Sequence, residues 1–244
     1  MDVFEKQYTV TVGDVDKTES AKPSYIFDIF QELTTVHGSD LGIGINEIKS
    51  LGMGWVLSRF SVEILRRPKF GETFIASTWP RGPNKLFMLR DYLIKDSSDN
   101  VIVRSRSRWI VIDIEKRSPM RPDSLPLALP LNEGRDALVN DGAALKKHEG
   151  LEKKCSRTAV YSDVDFNGHV NNARYIQWVQ DACPPALIEN AAKLSVEINY
   201  IIEIKIGESI DIFCGCLENS DGKLLAFEGV KSDGQTAFRC EIHF

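Results

Sequence analysis

Apolar residues recur at three- and four-residue spacing in two stretches of the chain. The first holds Ile26, Ile29, Phe30 and Leu33, with Val36 and His37 closing the stripe, and the second holds Tyr175, Ile176, Val179 and Ala182. This period predicts two amphipathic helices, one over Ser24 to His37 and one from Ala173 to the break at Pro184-Pro185. Most of the remaining chain alternates or carries short β-branched runs, which predicts strands. Hairpin turns are expected at Asp96-Ser97-Ser98-Asp99-Asn100 and at Ser232-Asp233-Gly234.

The elements come in two matching sets. Gly13-Asp14-Val15-Asp16 is echoed by Ser162-Asp163-Val164-Asp165, and each precedes a predicted helix. Ser61-Val62-Glu63-Ile64 recurs letter for letter as Ser195-Val196-Glu197-Ile198, and Lys69-Phe70-Gly71-Glu72 is matched by Lys205-Ile206-Gly207-Glu208. After the hairpin turns, Val103-Arg104 and Phe238-Arg239 lie on the last strand of each set. Echoes in constant order at near-constant offset indicate an internal duplication. Between the sets, Ser118 to Glu152 carries Pro119, Pro122, Pro126 and Pro130 and lacks alternation, which predicts a linker, helical near Arg135 to Lys147. The chain therefore divides into residues 1–117, a linker over 118–152, and residues 153–244. One helix cannot cover both faces of an antiparallel sheet, so the two halves are expected to pair. The predicted class is α+β: two tandem hotdog domains, each a curved antiparallel sheet wrapped around a long helix, forming a pseudo-dimer.

Composition narrows the function. With 43% hydrophobic and 27% charged residues the chain reads as globular, and a net charge of −5 argues against a general nucleic-acid binder. No apolar run approaches the ~20 residues of a membrane helix. The acidic start, Met1-Asp2-Val3-Phe4-Glu5, lacks the features of a secretory or transit peptide. Five cysteines without Cys-x-x-Cys spacing read as reduced thiols, so the expected location is cytoplasmic. Cys214 and Cys216 are expected to be small buried hydrophobes. No metal-site spacing or phosphate loop is present, and no cofactor is expected. His37, His148 and His243 have no partner at useful sequence spacing.

The most specific stretch is Asp165-Phe166-Asn167-Gly168-His169-Val170-Asn171-Asn172. On an extended backbone Asp165, Asn167 and His169 would share one face. Asn171 or Asn172 suits the N-cap of the following helix, whose first amides could stabilise an oxyanion. A carboxylate, an amide and an imidazole at such a point suit acyl-transfer hydrolysis. The first half keeps Asp16 but has Thr18 and Ser20 where Asn167 and His169 stand, so it is expected to be catalytically silent.

Asp165 to Tyr175, with Trp178 after it, resembles the signature of the acyl-ACP thioesterases of plants and bacteria. Trp55-Val56-Leu57-Ser58-Arg59 and Arg66-Arg67-Pro68-Lys69 also match patterns of that family. The resemblance implies tandem hotdogs with the site in the second, where Asp165, Asn167 and His169 act with a Glu from the following strand. Glu203 fits that place. Many plant members carry a Cys after this Glu; here it is Ile204, so no thiol is available there. The implied reaction is hydrolysis of fatty acyl-ACP to free fatty acid and holo-ACP in fatty acid biosynthesis. Either Asp165 or Glu203 activates water or attacks the carbonyl, Asn167 orients, and His169 relays a proton.

The family places the acyl chain in the first hotdog, where Ile26 and Phe30 on the helix and Met53, Trp55 and Leu57 can line a tunnel. The implied partner is acyl carrier protein, which is acidic. Arg104, Arg106 and Arg108 alternate along one strand face and are the candidate docking residues, and Arg66, Arg67 and Lys69 form a second basic cluster. A homodimer is also compatible with the sequence. The competing readings are an acyl-CoA thioesterase, a hydratase on the same fold, and an acyl-binding regulator without turnover.

Overall fold

The structure is a computed structural model that describes residues 2–125, 127–139, 142, 144–219 and 222–244. The first half runs β1 (Phe4–Thr9), a 3-10 turn at Val12–Asp14, α1 (Pro23–Asp40), α2 (Ile45–Ser50), β2 (Met53–Ile64), β3 (Thr73–Asn84), β4 (Phe87–Lys95) and β5 (Val101–Asp113). A two-residue strand, β6 (Ser118–Pro119), returns along β5. The second half repeats the plan: β7 (Glu152–Thr158), a 3-10 turn at Tyr161–Asp163, α3 (Asn172–Ala182), α4 (Pro185–Glu189), β8 (Leu194–Tyr200), β9 (Ser209–Asn219), β10 (Gly222–Lys231) and β11 (Thr236–His243). Among the described residues no helix is long and apolar enough to cross a membrane.

All eleven strands form one antiparallel sheet, ordered β1-β3-β4-β5-β2-β8-β11-β10-β9-β7 with β6 beside β5. That order is its own mirror image about the β2/β8 junction. The duplicated quartets meet there, with Ser61 opposite Glu197, Val62 opposite Val196 and Glu63 opposite Ser195. The pairing expected from the repeats is thus an antiparallel strand junction, which removes an edge from each half.

Helices α1 and α3 lie side by side against the same face of the sheet. Pro23 at the first position of α1 is pre-set for helix, and Ile26, Phe27, Ile29, Phe30 and Leu33 are all buried. Val36 falls outside that stripe and is exposed. Asn171 caps α3 by accepting the Ala173 N–H at 2.9 Å, as its position predicts. The two helices are tied by Arg174 on Asp28 at 3.0 Å and by the Ser24 N–H on Gln180 Oε1 at 3.2 Å. The hairpin turns fall where expected, between β4 and β5 and between β10 and β11.

The linker departs from its expected form. No described residue between Arg135 and Lys147 is helical; residues 140, 141 and 143 of that stretch lie outside the described set. It crosses the sheet as a strap whose polar groups bond to the strands. The Ala137 N–H donates to Asp91 Oδ2 at 2.8 Å, the Leu145 N–H to Asn199 Oδ1 at 2.8 Å, and the Arg135 carbonyl accepts from Trp79 Nε1 at 2.9 Å. Its own Ala137 and Leu138 are buried. Bonds to the sheet replace the internal ladder a helix would need.

All five cysteines are free. Cys183, Cys214 and Cys240 are buried as small hydrophobes, but Cys216 is exposed, although it shares the β9 face of Cys214 two residues earlier. Burial pushes the Cys183 thiol up to about 12 and the Cys214 thiol up to about 11, far from thiolate chemistry.

Candidate functional site

The segment Asp165–His169 is a tight turn and not an extended strand. The Asp165 N–H donates to the His169 carbonyl at 2.9 Å, and the Gly168 N–H to the Asp165 carbonyl at 2.9 Å. Asp165 Oδ1 accepts the Asn167 N–H at 2.8 Å, as Asp side chains do two residues ahead in turns. Gly168, at φ +77°, takes the left-handed conformation that closes the loop. The turn, and not strand alternation, therefore brings Asp165 and His169 opposite one another.

His169 then pairs as an isolated bridge with Lys205, and the Val170 N–H donates to the Ile204 carbonyl at 2.8 Å. These bonds lay the Glu203–Lys205 segment against the turn. His169 Nε2 comes to 3.4 Å from Glu203 Oε2, and Lys205 Nζ to 3.9 Å from Glu203 Oε1. The two side chains are 33% and 43% exposed, so a substrate can reach the pair. The Asn167 side chain is exposed and has no hydrogen-bond partner among the described residues. The structure thus joins His169 to Glu203 directly and leaves Asp165 and Asn167 beside them on the turn.

The start of α3 offers less than expected for an oxyanion. The Asn171 N–H donates to the Asp163 carbonyl, and the Ala173 and Arg174 N–H groups both donate to Asn171. These three amides are committed to the cap.

The first half builds the same turn with other chemistry. The Asp16 N–H donates to the Ser20 carbonyl at 2.9 Å, and Asp16 Oδ1 accepts the Thr18 N–H at 2.8 Å. Where Glu203 stands in the second half, the first has Arg67, which is buried and ion-paired to Asp16. Burial of Asp16 raises its pKa, but the hydrogen bonds from Thr18 and Arg67 outweigh this and hold it at about 2. Lys69 Nζ donates to Ser20 Oγ at 2.8 Å. The place that Glu203 holds in the second half is closed here by a salt bridge. Lining up the two Lys-x-Gly-Glu echoes would have exposed this Glu-for-Arg exchange in the sequence.

The candidate acyl-chain residues are packed. Ile26, Phe30 and Leu57 are buried, and Phe30 lies 4.7 Å between ring centroids from Tyr92. Met53 and Trp55 are half-buried, with Trp55 Nε1 donating to the Ile43 carbonyl at 2.9 Å. Two open grooves, of about 540 and 630 Å³, include none of these five residues, nor His169 or Glu203. A chain bound among them displaces side chains that now touch.

The docking candidates require a correction. Arg104 is exposed, but Arg106 and Arg108 are buried, Arg106 against the strap. Arg106 forms a two-pronged pair with Asp91 at 2.6 and 2.8 Å and reaches Asp136 at 2.7 Å, and Arg108 packs over the Phe87 ring. Their alternation reflects a covered sheet face. Arg106→Ala leaves the fully buried Asp91 with only the Ala137 N–H and, at 3.8 Å, Arg81 Nε among the described residues, and is expected to lower Tm by roughly 5–10 °C, the scale of breaking one partner of a buried pair. An unchanged calorimetric Tm would return Arg106 to the surface. The remaining histidines are all partnered: His37 with Arg90 at 3.0 Å and His148 with Glu241 at 2.7 Å, both distant in sequence, and His243 with Glu241, two residues before it, at 3.5 Å.

Two mirrored helix-on-sheet halves, with the polar turn in the second alone paired to a glutamate, define a double-hotdog protein. The acyl-ACP thioesterase N-terminal domain model matches residues 1–124 and the C-terminal domain model residues 147–244, so the chain belongs to the acyl-ACP thioesterase family. It is 24% identical over 211 residues to the acyl-[acyl-carrier-protein] hydrolase FATB2, chloroplastic, of Cuphea viscosissima, covering 81% of this chain and 51% of that one. It is 24% identical over 225 residues to the oleoyl-acyl carrier protein thioesterase, chloroplastic, of Coriandrum sativum, covering 85% and 61%. The chain thus spans between half and two thirds of the length of these curated relatives. Among solved structures, an acyl-ACP thioesterase from Bacteroides thetaiotaomicron superposes with a TM-score of 0.81 at 25% identity, covering 100% of this chain and 98% of that one. The 12:0-ACP thioesterase from Umbellularia californica gives 0.83 at 20% identity, covering 99% and 96%, a likeness of fold.

Proposed function

We propose that this chain hydrolyses fatty acyl-ACP thioesters, releasing a free fatty acid and holo-ACP, with its chemistry in the second half. The observation that carries the reading is the half-exposed Glu203–His169 pair at 3.4 Å beside the Asp165–Asn167 turn, in a chain of the acyl-ACP thioesterase family. Hydrolysis forms a C–O bond from water and breaks the C–S bond, and the departing sulfur takes up a proton. A carboxylate and an imidazole in contact can accept the water proton and return it to sulfur. Glu203 holds His169 in position, and the unpartnered Asn167 amide is free to donate to the thioester carbonyl. Asp165 or Glu203 serves as the base or nucleophile. The acyl chain is assigned to the first half, around Ile26, Phe30, Met53, Trp55 and Leu57, and the location to the cytoplasm.

Thiol release from matched acyl-ACP and acyl-CoA tests the reading. Acyl-ACP is expected to give a kcat/KM at least about tenfold higher, equivalent to about 1.4 kcal/mol of carrier recognition. Equal or reversed values would remove the carrier and leave a thioesterase. Binding of both substrates with turnover of neither would instead identify an acyl-binding regulator.

A further inference from the structure

We infer that Tyr175 is a positioning residue for the Glu203–His169 pair, an inference that rests on the site proposed above. Glu203 lies between the end of β8 at Tyr200 and the start of β9 at Ser209, where no continuous strand ladder holds the chain. Its peptide link to Ile204 is held from both sides instead. The Ile204 N–H donates to the Tyr175 hydroxyl at 3.3 Å, and the Glu203 carbonyl accepts from Lys231 Nζ at 3.4 Å. The Ile204 carbonyl in turn accepts from Val170, the residue after His169. Ile204 is fully buried, so water cannot replace the phenol as acceptor. The Tyr175 ring is itself clamped, edge-on to Tyr200 at 5.4 Å and to Phe238 at 5.5 Å, which sets the hydroxyl under the Glu203 peptide.

The first half supplies the comparison. Counting from Asp16 and from Lys69, the place of Tyr175 is taken by Ile26 and that of Ile204 by Pro68. Proline has no N–H to donate and isoleucine has nothing to accept it. The other bond survives, since the Ala21 N–H donates to the Pro68 carbonyl at 2.8 Å just as Val170 does to Ile204. The shared bond builds the turn in both halves. The phenol–amide bond is present only where a free carboxylate must be aimed at an imidazole, and is absent where Asp16 already pins Arg67.

Tyr175→Phe keeps the ring and deletes the hydroxyl. It is expected to lower kcat about tenfold with KM within about twofold of wild type, as a slightly misplaced reacting group does. In a Glu203→Gln background the same change should add less than a twofold loss, because both substitutions act through one carboxylate. A Tyr175→Phe enzyme with wild-type kcat, even at a lower Tm, would reduce Tyr175 to packing, and so would an equal loss in both backgrounds. Near-normal kcat in Glu203→Gln alone would overturn the site reading and this inference together. A full loss there with an unaffected Tyr175→Phe would remove only Tyr175.

Discussion

His169→Ala and Glu203→Ala should each lower kcat by roughly 10²- to 10⁴-fold, the usual scale for a lost acid–base group. The geometry makes the loss one of chemistry and not of folding. Both side chains are at least one third exposed, and exposed ion pairs contribute about 0–1 kcal/mol, so either residue can go with Tm nearly unchanged. The backbone bonds that form the turn, from Asp165 to His169 and from Val170 to Ile204, use no atom of either side chain. Steady-state thiol release beside thermal unfolding separates the two effects. A Glu203→Ala enzyme with near-normal kcat would remove Glu203 and leave His169 to work with the turn alone.

The sequence made the duplication legible because both halves solve one packing problem with the same turns and the same helix position. It carried the limits of α3 as well, capped by Asn171 and stopped before Pro184-Pro185, whereas α1 starts at Pro23 and runs to Asp40, three residues past the predicted end at His37. Short elements escaped. The six residues of α2 and the five of α4 are too few to express a helical period. Polar alternation misled at β5, where Arg106 reads as solvated until Asp91, Asp136 and the strap are placed around it. Within the site, residue identities were readable but their geometry was not. Asp165, Asn167 and His169 alternate in sequence, yet Gly168 folds them into a turn, and Glu203 meets His169 only through a bridge between segments more than thirty residues apart. The Tyr175 hydroxyl left no mark in the apolar pattern, because its ring fills a core position like any other aromatic.

Asp16→Ala and Asp165→Ala should fail in opposite ways, although the two residues occupy equivalent turns. Asp165 lies beside the Glu203–His169 pair, and no ion pair ties it to the fold among the described residues, so its loss is expected to cost kcat roughly 10²- to 10⁴-fold with Tm shifted little. Asp16 is locked to Arg67, which is only 7% exposed, and its loss leaves a buried guanidinium without its carboxylate. The Arg67 pair makes the two variants unequal in stability. With a pKa of about 2 against an ordinary 3.8, Asp16 contributes about 2 kcal/mol of stability. Because its folded pKa is depressed, that contribution is complete above about pH 4 and disappears as the pH falls toward 2. Asp16→Ala should therefore melt roughly 5–10 °C below wild type at neutral pH, and the gap should narrow as the pH drops through that window. Below its melting range the variant should keep kcat within about twofold, since a carboxylate held by Arg67, with Thr18 and Ser20 for company, has no imidazole to work with. An Asp16→Ala protein as stable as wild type but without turnover would show that both halves contribute to the chemistry, and the single-site mechanism would have to be abandoned.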